Sequence, residues 1–200
     1  LLMAAPLLLA WLAGPALAWW LSRPASQVAF EPSSGQRRFL QSLARRTWGF
    51  FDQYVGPDDN WLAPDNLQEQ PQQRIAHRTS PTNLGLALLA HLAAHDFGYL
   101  SSRRLMQRLE QMLANMGRLE RYRGHFYNWY DTQTLKPLPP LYVSTVDSGN
   151  LAGLLLTLRP GLLALADQPL PAARLATGLA DTLEVFHENR REAGRTPHAT

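Results

Sequence analysis

Cysteine is absent from the 200 residues. That excludes a disulfide framework and a thiolate metal site, and it fits a reducing compartment. Charge is absent from Leu1 to Ser22, and elsewhere no long run of one sign occurs. The net charge is +3 and the pI about 9.6, with the arginines scattered over helical patterns or set beside carboxylates. A nucleic-acid groove needs a basic stripe, so this pattern argues against nucleic acid and toward a membrane surface. There is no Gly-rich phosphate loop and no Gly-x-Ser-x-Gly elbow. His77 and His125 lack a second ligand at metal spacing. His91 and His95 stand four apart in so apolar a segment that they read as core or interface histidines, and no metal site is expected.

The charge-free start is rich in Leu, Ala and Trp and ends Trp19-Trp20-Leu-Ser-Arg23-Pro24. Residues 1–22 are just long enough to cross a ~30 Å hydrocarbon core as a helix. Paired Trp beside Arg suits the headgroup boundary. A signal peptide is the competing reading; the missing basic n-region and the Trp-Trp end stand against it. Pro6, Gly14 and Pro15 suit a helix within a multi-span bundle. Arg23, Arg37, Arg38, Arg45 and Arg46 follow, opposed by Glu31, which puts the remainder on the cytoplasmic side. A first residue that is not Met, inside an apolar run, suggests part of a longer chain. Residues 23–35 carry Pro, Ser and Gly and read as a linker.

Five helical patterns follow. The first runs from Gln36 to Gly56-Pro57 on Phe39, Leu40, Leu43, Phe50, Phe51 and Tyr54. After a long loop, Ser80-Pro81 opens a helix that is apolar nearly all round and ends at Gly98. Ser101 or Ser102 caps a third, with a stripe from Leu105 to Leu119, closed by Gly124. Asp147 or Ser148 caps a fourth from about Gly149 to Leu158, which Arg159-Pro160-Gly161 interrupts. A fifth lies between Pro169 and Arg191. The order repeats: an amphipathic helix, a long polar-aromatic loop, then an apolar helix, over Gln36–Gly98 and again over Ser101–Ala166. Buried and half-buried helices alternate, with every long loop at one end. This describes an all-α, partial (α/α)6 toroid of helical hairpins whose loops line a funnel. A helical solenoid is the alternative, but its periods are usually short and regular.

The loops hold the chemistry. Asp58, Asp59, Asp65, Glu69, Asp131 and Asp147 lie in or beside them. Carboxylate pairs are what glycoside chemistry requires, one donating a proton while the other attacks or activates water. As structural groups the same acids serve as turn or cap residues. Trp61, Phe126, Tyr127, Trp129, Tyr130 and Tyr142 either pack or stack on a sugar ring. Arg78 either keeps a loop carboxylate ionised or donates a fork of hydrogen bonds to sugar hydroxyls.

Four blocks, in order, carry a resemblance: Asp59-Asn-Trp-Leu-Ala-Pro-Asp-Asn66, Ala76-His-Arg-Thr-Ser-Pro-Thr-Asn83, Gly124-His-Phe-Tyr-Asn-Trp-Tyr-Asp131 and Tyr142-Val-Ser-Thr-Val-Asp-Ser-Gly-Asn-Leu-Ala-Gly153. They resemble the glucoamylase-like domain of cyclic β-1,2-glucan synthases, over roughly Gln36 to Leu165. The apolar start resembles the end of the membrane glycosyltransferase part that precedes that domain. The resemblance implies a bacterial inner-membrane enzyme with its soluble part in the cytoplasm. That enzyme polymerises glucose from UDP-glucose and closes the glucan by transglycosylation in an (α/α)6 toroid. It implies no cofactor here; UDP-glucose and a divalent metal belong to the preceding part. The expected partners are β-1,2-glucan, the membrane and the remainder of the same polypeptide. Substrate binding is expected of Asp59, Trp61, Asp65, Arg78, Thr79, Asn83, Asn128, Trp129, Asp131, Ser144, Asp147 and Asn150. The catalytic acids are expected beyond Thr200, with Asp131 and Asp147 as weaker candidates. Residues 36–200 would then be an incomplete toroid, inactive alone. The alternatives are a β-glucan hydrolase or phosphorylase toroid and a membrane-tethered helical protein-interaction module.

Overall fold

The computed structural model describes residues 4–23, 31–165 and 172–193. The chain divides into two compact units, Leu1–Arg37 and Arg38–Thr200. In the first, helix α1 (Ala5–Leu21) is apolar on every face and buries none of its residues. The Ser22 hydroxyl donates to the Ala18 carbonyl at 2.7 Å and Arg23 lies over the Trp19 ring at 4.1 Å, so polar groups gather at one end. The 17 residues of α1 stand at the lower end of the ~17–25 that span a bilayer. Much of the expected linker, 24–30, lies outside the described residues.

Helix α2 (Ser34–Tyr54) starts two residues before the expected Gln36. The reason is a capping box: Ser33 N–H donates to Gln36 Oε1 at 2.9 Å, and Gln36 N–H donates to Ser33 Oγ at 3.3 Å. Helix α3 (Pro81–Asp96) has the expected cap, Ser80 Oγ accepting from Asn83 N–H. It is the centre of the second unit. Leu84, Ala87, Leu88, His91, Leu92 and His95 are all buried on a broad face, while Leu86 on the opposite side is 47% exposed, so the helix is not covered all round as its apolar pattern predicts. Helix α4 (Ser102–Arg118), capped by Ser101, buries Leu105, Leu109, Met112 and Met116 on one stripe. Trp48 of α2 meets His91 edge-on at 5.0 Å, and Arg108 of α4 pairs with Asp52 of α2 at 2.9 Å.

Helix α5 (Thr145–Leu165) packs along α3. A Cβ on Gly85 would lie 2.7 Å from Leu154 Cδ1, and one on Gly161 would overlap Leu92, so each helix receives a leucine of the other at a glycine. Two expectations are corrected here. The helix begins at Thr145, because Ser144 Oγ accepts from Asp147 N–H at 3.1 Å; Ser144 is the cap and Asp147 belongs to the first turn. It also continues through Pro160, where packing against α3 holds a turn that loses only one N–H donor. Among the described helices of 18 or more residues, α5 is the one apolar enough to cross a membrane. Its start is tied by hydrogen bonds to α3, and Val146, Leu156 and Leu163 are exposed. Helix α6 (Ala172–Ala193) lies against α2 through Arg45–Thr182 and Arg46–Glu188. Gly98, at φ +79°, lets the turn after α3 touch the Arg174 carbonyl.

Short strands organise the loops. In the first loop β1 (Leu67–Gln68) pairs with β2 (Arg74–Ile75). Strand β3 (Arg78–Thr79) pairs with β6 (Tyr130–Asp131), joining the two long loops. Strands β4 (Arg121–Tyr122) and β5 (His125–Phe126) form a hairpin whose turn residues, Arg123 and Gly124, have φ of 50° and 89°. Gly124 thus serves a hairpin turn, not the helix end expected of it, because α4 has already stopped at Arg118.

Candidate functional site

The site lies where β3 meets β6 and the N-termini of α3 and α5 come side by side. Asp65 gathers the donors of the first loop. Its Oδ2 accepts from Arg78 Nε at 3.2 Å, Arg78 Nη2 at 3.0 Å and Asn66 Nδ2 at 2.9 Å, and its Oδ1 from Asn83 Nδ2 at 3.1 Å. The Arg78 guanidinium, half-exposed, sits 4.7 Å above the Trp129 ring. One planar cation is thus fixed by a carboxylate and an aromatic face together.

Trp129 connects this group to a second. With the Asn128 amide turned so that every partner is satisfied, its oxygen accepts from Trp129 Nε1 at 2.6 Å and from the Tyr142 hydroxyl at 2.7 Å. Its nitrogen then donates to Asp147 Oδ2 at 3.1 Å. Asp147 also accepts from the Ser144 hydroxyl at 2.6 Å and from the Thr82 hydroxyl at 2.7 Å. Asn150 Nδ2 donates to Thr82 Oγ1 at 3.1 Å. Burial alone would raise the Asp147 pKa; hydrogen bonds from Ser144, Thr82 and Ser80 outweigh it and hold the carboxyl below its ordinary value. A carboxylate in the first turn of α5, against the start of α3, also faces the positive ends of two helices. A general acid needs the opposite shift, so Asp147 suits hydrogen-bond acceptance better than proton donation.

The remaining expected residues sit elsewhere. Asp59 is buried at 4% exposure, accepting from His77 Nδ1 at 2.8 Å and from the Thr132 hydroxyl. It ties the first loop to the second from inside. Trp61 is half-buried against the hydrophobic core. Thr79 is fully buried, with its hydroxyl unpartnered. Asp131 Oδ1 accepts from the Gln133 and Thr134 amides at 3.0 and 2.7 Å, an Asx turn that shapes the second loop. Asp65, Arg78, Asn83, Asn128, Trp129, Ser144, Asp147 and Asn150 form the connected wall. Sequence reasoning missed Thr82, whose hydroxyl bridges the two helix starts, and used Tyr142 only as an aromatic. Neither has a local signal, because its role depends on α3 and α5 being neighbours. Among the described residues no group of three or more His, Asp or Glu is placed to hold a metal ion.

No family model matches the chain. It is 44% identical over 149 residues, 74% of its length, to the cyclic beta-(1,2)-glucan synthase NdvB of Rhizobium meliloti (strain 1021). It spans 5% of that protein. Among solved structures it is similar to a protein from Bacteroides fragilis NCTC 9343 provisionally named a glucoamylase. That match has a TM-score of 0.51 and 21% identity, and it covers 67% of this chain and 32% of the other. At that identity the likeness speaks for the fold. The chain is therefore a homologue of a segment of the cyclic β-1,2-glucan synthase, built on a mostly helical, glucoamylase-like fold.

Proposed function

We propose that this chain is the opening part of a glucoamylase-like (α/α)6 toroid that binds β-1,2-glucan for cyclisation by transglycosylation, within a membrane-bound synthase. The observation that carries the reading is the connected wall from Asp65 through Arg78, Trp129 and Asn128 to Asp147, set at the adjacent N-termini of α3 and α5. It joins a planar cation, an indole, amides and carboxylates in one surface. Sugars need flat apolar faces beside dense hydrogen-bond partners, and such a wall supplies both. The homology to a glucan synthase supports the choice of glucan.

In this role the wall holds and orients the chain and does not cut it. Retaining transfer requires two carboxyl groups ~5–5.5 Å apart, one of them protonated. Asp65 and Asp147 are each engaged by donors within the wall, so we assign the reacting acids to other segments of the toroid. The exposed apolar face of α5 fits a helix that further inner helices would cover. We place α1 in the bacterial inner membrane and the second unit in the cytoplasm, on the strength of the apolar start and the arginines that follow.

Titration with linear β-1,2-glucan tests the proposal. Saturable binding by the unaltered chain is expected, weakened at least about tenfold by Trp129→Ala, since the indole supplies an aromatic face and its N–H holds Asn128 in the wall. Absence of binding to any β-glucan would refute it.

A further inference from the structure

We propose that the cleft between the β4–β5 hairpin and residues 141–143 is a second sugar subsite, which takes a further unit of the same glucan beyond the wall. It rests on the glucan reading above. The cleft has a volume of about 400 Å³ and is lined by Tyr122, His125, Tyr127, Leu141, Tyr142 and Val143. Small-molecule sites usually fall at ~300–1,000 Å³. Tyr122 and Tyr142 are 50% and 47% exposed and not spent on the core; the Arg123 guanidinium lies over the Tyr122 ring at 5.4 Å.

The cleft is preformed. On one side Tyr122 and His125 are cross-strand partners in the hairpin. Tyr127 lies against the buried Tyr130, ring centroids 6.4 Å apart. The Tyr130 hydroxyl donates to the Glu120 carbonyl at 2.6 Å and accepts from Tyr127 N–H at 2.7 Å, which fixes that wall. On the other side Asn128 N–H donates to the Tyr142 carbonyl at 2.9 Å. Three phenol rings and an imidazole therefore surround one space without collapsing into it.

The occupant follows from that chemistry and from continuity. A pyranose has C–H faces that suit the negative face of an aromatic ring, and rim hydroxyls that suit phenol O–H and imidazole nitrogen. Tyr142 belongs to both sites: its hydroxyl bonds Asn128 in the wall while its ring lines the cleft. A chain bound across Arg78 and Trp129 runs on to Tyr142, which the buried Asn128 holds beside them, and into the cleft.

The test is calorimetric titration of linear β-1,2-gluco-oligosaccharides of increasing length into the whole chain and its variants. Tyr122→Ala is expected to weaken the longer oligosaccharides about tenfold, the loss of one aromatic contact, and to leave the shortest binder unchanged. Tyr122→Phe retains the affinity. His125→Ala, on the facing strand, is the second probe, and circular dichroism checks the fold of each. If the unaltered chain binds and Trp129→Ala abolishes binding, but Tyr122→Ala and His125→Ala bind every length normally, the cleft is refuted and the wall stands. If the unaltered chain binds no glucan, both fall.

Discussion

Replacing Asp147 by Asn keeps the shape of the side chain and removes its charge. In the structure this carboxylate accepts from the Ser144 and Thr82 hydroxyls at 2.6 and 2.7 Å and lies in the first turn of α5. Hydrogen bonds to a charged acceptor contribute ~1.5–3 kcal/mol against ~0.5–1.5 for neutral ones, so neutralisation costs about 1 kcal/mol for each of the two. Loss of the favourable charge at a helix start adds ~0.3–1 kcal/mol. Asn also turns an N–H₂ toward groups that were donating to it. The sum is about 2–4 kcal/mol, and at ~2–4 °C per kcal/mol for a chain of this size the melting point should drop roughly 5–15 °C. The pH dependence adds a second signature. Because the folded-state pKa is lowered, the contribution is fully present above the ordinary value of 3.8 and is lost as pH falls through the folded value. Thermal melts followed by circular dichroism at pH 7 and at pH 3 should therefore show a large gap between variant and parent at pH 7 and a smaller one at pH 3. Equal melting points at pH 7, or a gap that does not narrow in acid, would refute the account of two helix starts held by one carboxylate.

Two further outcomes test the core around the site. Burial pushes the His91 pKa down to about 4. Its unfolded form therefore binds the extra proton between pH 6.5 and 4, and stability falls over that window by up to roughly 3 kcal/mol as pH drops; His91→Phe should flatten melting point against pH there. Tyr130→Phe leaves the Glu120 carbonyl and the Tyr127 amide without the fully buried hydroxyl that served both. A loss of about 1–3 kcal/mol is expected in a urea titration, and an unchanged midpoint would show that water replaces the hydroxyl freely.

Local chemistry made much of the fold legible. Ser80-Pro81 and Ser101 mark helix starts because a hydroxyl followed by a helix former satisfies a free N–H whatever surrounds it. The all-round apolar run of α3 announced burial, and the single stripe of α4 announced a surface helix. Where the reading slipped, a contact distant in sequence had decided. Ser144 displaced Asp147 as the cap, and packing of Gly161 against Leu92 carried α5 through Pro160. Of the expected site residues, Asp59, Thr79 and Asn128 are buried, and Asn128 acts from beneath the surface of the wall by holding Trp129, Tyr142 and Asp147. Two-residue strands have no period to detect, yet one of them, β3 paired with β6, brings the loops together.

The sequence by itself determined which segments are helices, where the aromatic and acidic residues concentrate, and what family the loop blocks resemble, because caps, periodicity and loop chemistry act between near neighbours. Tertiary structure alone decided that α3 and α5 start side by side. That adjacency makes Thr82 a bridge to Asp147, and the pairing of β3 with β6 sets Arg78 over Trp129. Each of these is a meeting of groups about fifty or more residues apart, which only packing can arrange.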